Sequence, residues 1–406
     1  MPYDDRSHQI SRVITEQDEE VDRIQTLPLS LLRNEGDVLW NLSPCQRIPP
    51  EIWGEIFVQC LPDDEFIAIS TYSAPMLLAG VCRPWRSIVL STPRLWNSMC
   101  LNKLYFREFA HFNLSSMWLG RSGKLPLSIG IWQGGFSSYQ DERSIVLSIL
   151  PFVSQIKNLK VGMPWPLIET LLGGQDISAL TDLEIRIANN SFRDSYHNIP
   201  TLLNISDTPR LRKLKLADFP RGVVTCLLPF SWAQLTEFSA YPINFNQCFD
   251  IFRECRNLTH LSLSGISNGY DGYTRHHVLL PNLISLTLGI YRDRDIKYLW
   301  HNLTLPKLRE CMFGYFSRRT SPKDPWSTAK LFALLDRSSC SLHTLEIPPF
   351  TSDTDIVECV QRIPSLRKIK FGPSITKNVL SDRVSRILDQ RAVSDTNSDE
   401  LEPLKV

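Results

Sequence analysis

One repeated apolar pattern constrains the fold of this 406-residue chain more than any other feature of the sequence. Its unit has apolar residues at the first, fourth and sixth positions, as in Leu258, Leu261 and Leu263. The copies begin at positions 156, 180, 211, 235, 258, 283, 308, 342 and 366, so successive steps are 24, 31, 24, 23, 25, 25, 34 and 24 residues. The alternation within each copy predicts a short strand with one apolar face. A step length that recurs this closely predicts stacked repeats.

The repeats predict a solenoid, because one short strand and one helix cannot bury an apolar face alone, whereas stacked copies share a continuous core. The step length lies in the leucine-rich-repeat range, and the two longest steps correspond to repeats with inserts. Helices are predicted between strands at 104–119, 166–172, 244–255, 294–303 and 326–337. We therefore predict an α/β fold, an irregular leucine-rich-repeat solenoid over 93–391 with a curved parallel sheet. A generic α/β sandwich is the alternative, and the clustering of the steps argues against it.

The repeats depart from the leucine-rich-repeat pattern at one position. In that family an asparagine or cysteine usually follows the strand. Here the position is occupied by Ala188, Phe219, Ile243, Ile266, Tyr291 and Phe350. A regular asparagine ladder is therefore not expected, and the arc is predicted to be irregular.

The residues that alternate with the inward leucines predict a binding surface, because solenoids bind ligands on the concave sheet. Their charges alternate in sign, and the centre of the series is neutral and polar. No basic stripe that follows a phosphate backbone is formed, so nucleic acid is not an expected partner. The candidate residues for binding a target protein are Asp182, Glu184, Arg186, Lys213, Lys215, Glu237, His260, Glu310, Lys368 and Lys370.

The segment before the repeats has helical rather than strand periodicity. Pro50 suits the first turn of a helix, where its missing N–H costs nothing, and Glu51 complements the positive helix end. Apolar residues at 52, 56, 57 and 60 then recur with helical spacing on one predicted face. A second helix is predicted from near Pro75, with an apolar stripe at 77, 78, 81 and 82, and a third begins at Pro84, which would break a continuing helix. These helices carry more apolar residues than a three-helix segment of this size can bury within itself.

This segment resembles an F-box, the helical module that docks onto a Skp-type adaptor in SCF-type cullin–RING ubiquitin ligases. The resemblance rests on Ile48-Pro49-Pro50-Glu51-Ile52, Ile56-Phe57 and Val81-Cys82-Arg83-Pro84-Trp85-Arg86, and the exit segment Ser91–Trp96 is similar to that of fungal, basidiomycete-type members. It implies that a set of apolar residues divides between the module's core and the adaptor surface. These residues are Ile48, Pro49, Ile52, Ile56, Phe57, Leu61, Val81 and Trp85. A free-standing helical bundle is the alternative interpretation.

Composition and the absence of known motifs argue against several classes of function. The net charge of +1 gives no general attraction to nucleic acid or acidic membranes, and no apolar run approaches the ~20 residues of a membrane span. The first thirty residues lack the apolar core of a signal peptide, so a cytoplasmic or nuclear protein with reduced thiols is expected. The ten cysteines contain no Cys-x-x-Cys pair, and His276-His277 is interpreted as part of a surface loop, so no metal and no cofactor are predicted. Phosphate-loop, nucleophile-elbow and zinc-protease motifs are absent, and an enzyme is not expected.

The predicted organisation has four parts: a helical or loose N-terminal segment over 1–42, the F-box over 43–92, the solenoid over 93–391 with a capping helix over 374–390, and a disordered tail over 392–406. Three functions fit these parts. The favoured one is a non-catalytic receptor that binds the adaptor, and through it a cullin, while the solenoid binds a target protein. The others are an adaptor-binding scaffold that delivers no substrate and a plain protein-binding leucine-rich-repeat module.

Overall fold

The protein is described from a computed structural model. The structure describes residues 47–101, 110–131, 139–187, 208–219, 232–267, 277–290, 301–315, 328–347 and 351–371. The chain divides into two compact units, the first formed by Met1–Met99 and Met117–Leu125 and the second by Cys100–Ser116 and Pro126–Val406. The predicted N-terminal segment over 1–42, the capping helix over 374–390 and the tail over 392–406 lie outside the described residues.

Three helices occupy the F-box-like segment of the first unit. They are α1 (Pro50–Gln59), α2 (Met76–Val81) and α3 (Arg83–Ser91). Pro50 is the first residue of α1, and the carbonyl of Pro49 accepts hydrogen bonds from the N–H groups of residues 52 and 53. Helix α3 begins at Arg83 instead of Pro84, and Cys82 is an extended residue between two helices instead of a member of the α2 apolar stripe. Both differences follow from proline, which is accepted at either of the first helical positions.

An aromatic cluster forms the core of the first unit. The rings of Trp53, Phe57 and Trp85 lie in mutual contact, with centroid distances of 4.8, 5.2 and 5.6 Å. Farther along, the ring of Trp96 packs edge-on against that of Trp118 at 4.8 Å and donates a 2.8 Å hydrogen bond to the Val89 carbonyl. The aromatic side chains therefore hold α1 and α3 together and connect α3 to the segment that follows it.

The second unit is built on a large parallel sheet, beside which two short strands form a separate parallel pair. Strand β1 (Ser98–Leu101) lies at the division between the units. The strands that follow along the chain are β2 (Leu127–Ile131), β3 (Ile156–Met163), β4 (Asp182–Ile187), β5 (Lys213–Ala217), β6 (Glu237–Tyr241), β7 (Ile243–Asn244), β8 (His260–Ser267), β9 (Val278–Leu279), β10 (Ser285–Ile290), β11 (Leu303–Thr304), β12 (Glu310–Tyr315), β13 (Thr344–Ile347) and β14 (Lys368–Phe371). From β2 onward the sheet order is β2-β3-β4-β5-β6-β8-β10-β12-β13-β14, with every neighbouring pair parallel. The predicted α/β class and parallel sheet are confirmed, and the architecture agrees with a leucine-rich-repeat-like solenoid.

Each predicted repeat contributes one strand of this sheet. The strand leucines are buried in a continuous layer, in which Leu183, Leu214, Leu261 and Leu286 are each at most 2% exposed. At the entry to the strands a ladder of backbone hydrogen bonds recurs, as in Thr236 N–H to the Arg212 carbonyl at 2.9 Å and Thr259 N–H to the Thr236 carbonyl at 2.8 Å. Because the same bond recurs from one repeat to the next, the inward leucines of successive strands come into register.

Six α-helices whose bounds lie within the described residues follow α3: α4 (Ala110–Arg121), α5 (Tyr139–Ile149), α6 (Trp165–Leu172), α7 (Phe245–Glu254), α8 (Thr328–Ser338) and α9 (Asp353–Arg362). Helices were predicted near α4, α6, α7 and α8, whereas α5 and α9 were not predicted. The prediction over 294–303 falls mostly outside the described residues. Asn244 caps α7 by accepting a 2.9 Å hydrogen bond from the Gln247 N–H.

Apolar residues occupy the position after the strand where leucine-rich repeats usually carry asparagine. Phe219, Ile243 and Ile266 are all at most 2% exposed. Ile243 is paired with Ile266 in the short strand pair β7–β8, and Phe219 packs edge-on against Trp165 with ring centroids 6.0 Å apart. In these repeats the corner after the strand is therefore held by apolar packing and short backbone pairing. Ala188, Tyr291 and Phe350 lie outside the described residues.

Candidate functional site

Helix α1 carries large apolar side chains on two different faces. Trp53 and Phe57 point into the core and are 8% and 1% exposed, whereas Ile52 and Ile56 are 50% and 40% exposed. Both pairs are spaced four residues apart, so each forms a stripe along the helix. The sequence pattern predicted Ile52, Ile56 and Phe57 on one face, and the structure separates them. Ile52 and Ile56 form an outward stripe.

Helix α2 repeats this arrangement on a shorter scale. Leu78 is buried, while Leu77 and Val81 are 50% and 53% exposed at a spacing of four residues. Arg86 of α3 donates a 2.8 Å hydrogen bond from Nε to the Ala79 carbonyl and so ties α3 to α2. We call the exposed residues Ile52, Ile56, Leu77 and Val81 the apolar stripes of the first unit. Leu77 was not among the predicted site residues, because its exposure depends on how α2 packs.

Close packing fixes the direction in which the α1 stripe points. Gly54 is buried, and a Cβ built on it would lie 3.1 Å from Oγ1 of Thr92, which immediately follows α3. A larger side chain would therefore push α1 away from the end of α3. Thr92 is itself held by a 2.7 Å hydrogen bond from Oγ1 to the Ile88 carbonyl.

The structure places the other predicted adaptor residues in two groups. Pro49 is exposed, and Ile48 and Leu61 are half-buried near the two ends of α1. Phe57 is buried, and Trp85 is half-buried in contact with Trp53 and Phe57. Phe57 therefore belongs to the core of the first unit and is not available to a partner. The resemblance implied only that Phe57 lies either in the core or on the adaptor surface.

In the second unit, the predicted target-binding residues lie in rows across the strands. The first row follows the strand register through Asn158, Asp182, Lys213, Glu237, His260, Ser285, Glu310, Thr344 and Lys368. The second row passes through Lys160, Glu184, Lys215, Ser239, Ser262, Thr287 and Met312, and Glu346 pairs with Lys370 farther on. We call the side of the sheet that carries these two rows the polar face.

On strands β3 to β6 the charges of the polar face pair with one another. Glu184 lies 2.9 Å from Lys160 Nζ and 3.3 Å from Lys215 Nζ. Lys213 Nζ lies 3.0 Å from Glu237 and 4.0 Å from Asp182. These six residues carry three positive and three negative charges, so their net charge is zero. This part of the polar face is therefore electrically balanced within itself.

Arg186, the remaining charged residue predicted on β4, extends this balance to the end of the strand. Its Nε lies 3.7 Å from a carboxylate oxygen of Asp218, which follows β5. Asp218 has a left-handed backbone (φ 60°), and its N–H donates a 2.7 Å hydrogen bond to the Tyr241 carbonyl. Neither Asp218 nor Lys160 was among the predicted site residues, because which charged side chains pair depends on their rotamers across neighbouring strands.

On strands β8 to β12 the polar face is mostly uncharged. Ser285 is 5% exposed and donates a hydrogen bond of 3.2 Å from its hydroxyl to Glu310. His260 Nδ1 lies 3.0 Å from the hydroxyl of its neighbour Thr259. Short hydroxyl side chains at Ser262 and Thr287 fill the adjacent row. The neutral centre that the sequence indicates thus covers the polar face of β8 and β10, and Glu310 adds a carboxylate on β12.

Four of the described cysteines are buried thiols. Cys248, Cys255, Cys311 and Cys359 are buried free thiols, and burial raises the pKa of Cys255 and of Cys359 to about 12. The structure groups no three His, Cys, Asp or Glu side chains of the described residues as metal ligands. Likewise, none of the described helices is long and apolar enough to cross a bilayer.

Known proteins are similar to this chain in structure but not in sequence. No protein-family model matches it, and no curated protein matches it in sequence. Among solved structures, a chain in the crystal structure of the Rad7 and Elc1 complex in yeast is similar, with 14% sequence identity and a TM-score of 0.43. The match covers 96% of this chain and 90% of that chain. A likeness at this level does not establish a family or a function.

Proposed function

We propose that the chain is a non-catalytic substrate receptor of an SCF-type cullin–RING ubiquitin ligase, acting in the cytoplasm or nucleus. In this proposal the apolar stripes of the first unit bind a Skp-type adaptor, and the polar face of the second unit binds a target protein. The ligase supplies the chemistry of ubiquitin transfer. The contribution of this chain is to hold the target near the reacting groups, which raises their effective concentration.

The two faces of α1 are the observation that carries the proposal. A helix that packs only within its own unit needs one apolar face, yet α1 also leaves Ile52 and Ile56 40% exposed or more. Covering such a side chain is worth roughly 1.5–3 kcal/mol, so a partner that covers both gains a large share of a typical binding energy. The stripe lies within the F-box-like motif, in which the opening Ile48–Ile52 and the later Val81–Arg86 both occur in order.

The polar face of the second unit supports the other half of the proposal. Its two rows span parallel strands from β3 to β14 and carry the polar residues of the strands, while the leucines between them are buried. Side chains in such rows are replaceable without disturbing the core, which suits a surface that recognises a particular protein.

The first test compares two pairs of exposed apolar residues. Ile52→Ala/Ile56→Ala removes the α1 stripe, and Leu147→Ala/Leu279→Ala removes two side chains of the second unit that are 41% and 56% exposed. With purified adaptor, isothermal titration is expected to show adaptor affinity falling by roughly 100-fold or more in the first variant and unchanged in the second. Thermal melts should show both variants folded. Undiminished adaptor binding by a folded Ile52→Ala/Ile56→Ala protein would reject the proposed site.

A second measurement separates the receptor from a scaffold and from a plain binding module. The full chain is purified from cells, and the proteins that accompany it are identified. Adaptor, cullin and ubiquitylated proteins together indicate a receptor. Adaptor without ubiquitylated proteins indicates a scaffold, and the absence of adaptor indicates a binding module alone.

A further inference from the structure

The lysines of the polar face differ in whether they have a counter-ion. Lys213 and Lys215 stand at alternate positions of β5 and are 53% and 51% exposed, and each has a carboxylate within 3.3 Å. Lys368 and Lys370 stand at alternate positions of β14, with Lys368 exposed and Lys370 half-buried. Within the described part of the chain, no carboxylate lies within 4.0 Å of either ammonium group. The two lysine pairs therefore have the same chemistry and spacing, but among the described residues only the pair on β5 has carboxylate partners.

The side chain of Lys370 shows the difference most directly. Its register partner on β13 is Glu346, yet its Nζ is directed to the sulfur of Met312 on β12, 4.0 Å away. A thioether sulfur is a weak acceptor and carries no charge. Lys368 has neutral Thr344 as its register partner. Both ammonium groups can therefore bind an incoming carboxylate without giving up an ion pair within the described residues.

We infer that Lys368 and Lys370 are the part of the polar face that contacts the target, and that the target presents an extended segment with acidic side chains at alternate positions. Side chains two residues apart on a strand lie roughly 6.5–7 Å apart, which is also their spacing on an extended peptide. Two carboxylates of such a peptide match the two lysines. The inference rests on the proposed function, because it names which part of the same face binds.

The lysines on β5 are a poorer contact for the same segment. An acidic peptide placed over Lys213 and Lys215 must compete with Glu237 and Glu184, which already occupy their ammonium groups. Exposed pairs of this kind gain little, so exchanging one carboxylate for another yields almost no net attraction. Glu346 on β13 also disfavours an acidic peptide, because it is the register partner of Lys370 and its carboxylate repels an incoming acid.

The test uses a fluorescein-labelled peptide of alternating glutamate and serine, with a lysine–serine peptide as the charge control, and measures anisotropy with the full chain. Lys368→Gln/Lys370→Gln is expected to weaken glutamate-peptide binding roughly fivefold or more, and Lys368→Arg/Lys370→Arg to retain it. Lys157→Gln/Lys307→Gln, at two exposed lysines of the second unit that lie outside the two rows of the polar face, is the matched control and should bind like wild type. Glu346→Gln should bind more tightly, because the neighbouring repulsion is removed.

Three results would overturn the inference. These are equal weakening by the two lysine-to-glutamine variants, no preference of wild type for the glutamate peptide, and unchanged or weaker binding by Glu346→Gln. Thermal melts of every variant establish that the sheet is intact, and the arginine variant preserves charge if glutamine disturbs β14. Adaptor affinity is measured on the same proteins. If the wild-type protein binds the adaptor but shows no preference for the glutamate peptide, this inference alone is rejected. If the wild-type protein does not bind the adaptor, the proposed function is rejected.

Discussion

Helix α1 and strand β5 differ in whether all their large apolar side chains are buried. Both place apolar residues at regular spacing, but β5 buries Leu214 and Leu216 and turns Lys213 and Lys215 outward, whereas α1 turns Ile52 and Ile56 outward as well. The strand is complete once stacked in its sheet, because its outward charges are paired. The helix still has apolar surface to cover. A binding site built on the first region depends on apolar contact, and one built on the second depends on charge.

This difference has a measurable consequence in salt. Burying an apolar stripe is nearly independent of ionic strength, whereas exposed charges are screened over a distance of about 8–10 Å at physiological salt. Adaptor binding through Ile52 and Ile56 should therefore persist in high salt. Target binding through Lys368 and Lys370 should weaken. Two partners of one chain would then separate on a single salt gradient.

The largest effect on stability is expected when a charge is placed in the buried leucine layer of the sheet. Leu214 is 1% exposed, between Leu183 and Phe238 in register, so Leu214→Asp leaves an unpaired carboxylate in the shared core. We expect loss of the cooperative thermal transition of the second unit. Lys213→Gln, one residue away on the polar face, is the control and should cost about 1 kcal/mol or less, because it removes only exposed ion pairs. A normal melt for Leu214→Asp would mean that the leucine layer is not the core.

A smaller effect is expected inside the first unit, where two apolar residues one position apart have opposite roles. Phe57→Ala removes a buried ring that contacts Trp53 and Trp85 and should cost about 3–5 kcal/mol in urea unfolding. Ile56→Ala, at a position 40% exposed, should cost less than about 1 kcal/mol. Adaptor affinity should respond in the reverse order when both proteins are folded. Similar destabilisation by the two substitutions would show that α1 does not have the two faces described.

The smallest expected effect concerns the charge pairs of the polar face. Glu184 serves both Lys160 and Lys215, so Glu184→Gln leaves two lysines on neighbouring sides without their shared partner. We expect a loss of about 1 kcal/mol at low salt and less at high salt, measured by urea unfolding. Glu346→Gln removes a glutamate of β13 for which no described residue forms an ion pair, and it is the control. Equal losses from both variants would show that the ladder of pairs contributes nothing.

Much of the second unit follows from the sequence because its signal is repeated. Each of the nine apolar patterns corresponds to a strand, from β3 to β14, since every copy adds to the evidence for the same period. The register also follows, because a shift of one residue would turn Leu214 and its counterparts out of the core. Helices α5 and α9 were missed, since a short amphipathic pattern that occurs once has no repeat to support it.

The parts of the candidate sites that could not be predicted depend on contacts between elements. Helical spacing groups Ile52, Ile56 and Phe57, but only the packing of α1 on α3 decides which of them faces inward. In the same way, the sequence shows that charges alternate along the polar face. Which of them lie close enough to pair depends on rotamers across neighbouring strands, and this is what distinguishes Lys215 from Lys370.

The backbone ladder at the strand entries separates distance along the chain from distance along the sheet. The step from Arg309 to His343 is 34 residues and that from Arg212 to Thr236 is 24, yet in both the second residue donates its N–H to the carbonyl of the first, at 2.7 and 2.9 Å. A partner crossing the polar face therefore meets a new strand about every 4.8 Å, whatever the length of the intervening loop. Loops can be lengthened or exchanged without rewriting what the partner encounters. The distance between two contact points on the face is therefore set by the number of repeats between them, and an insertion in a loop does not change it.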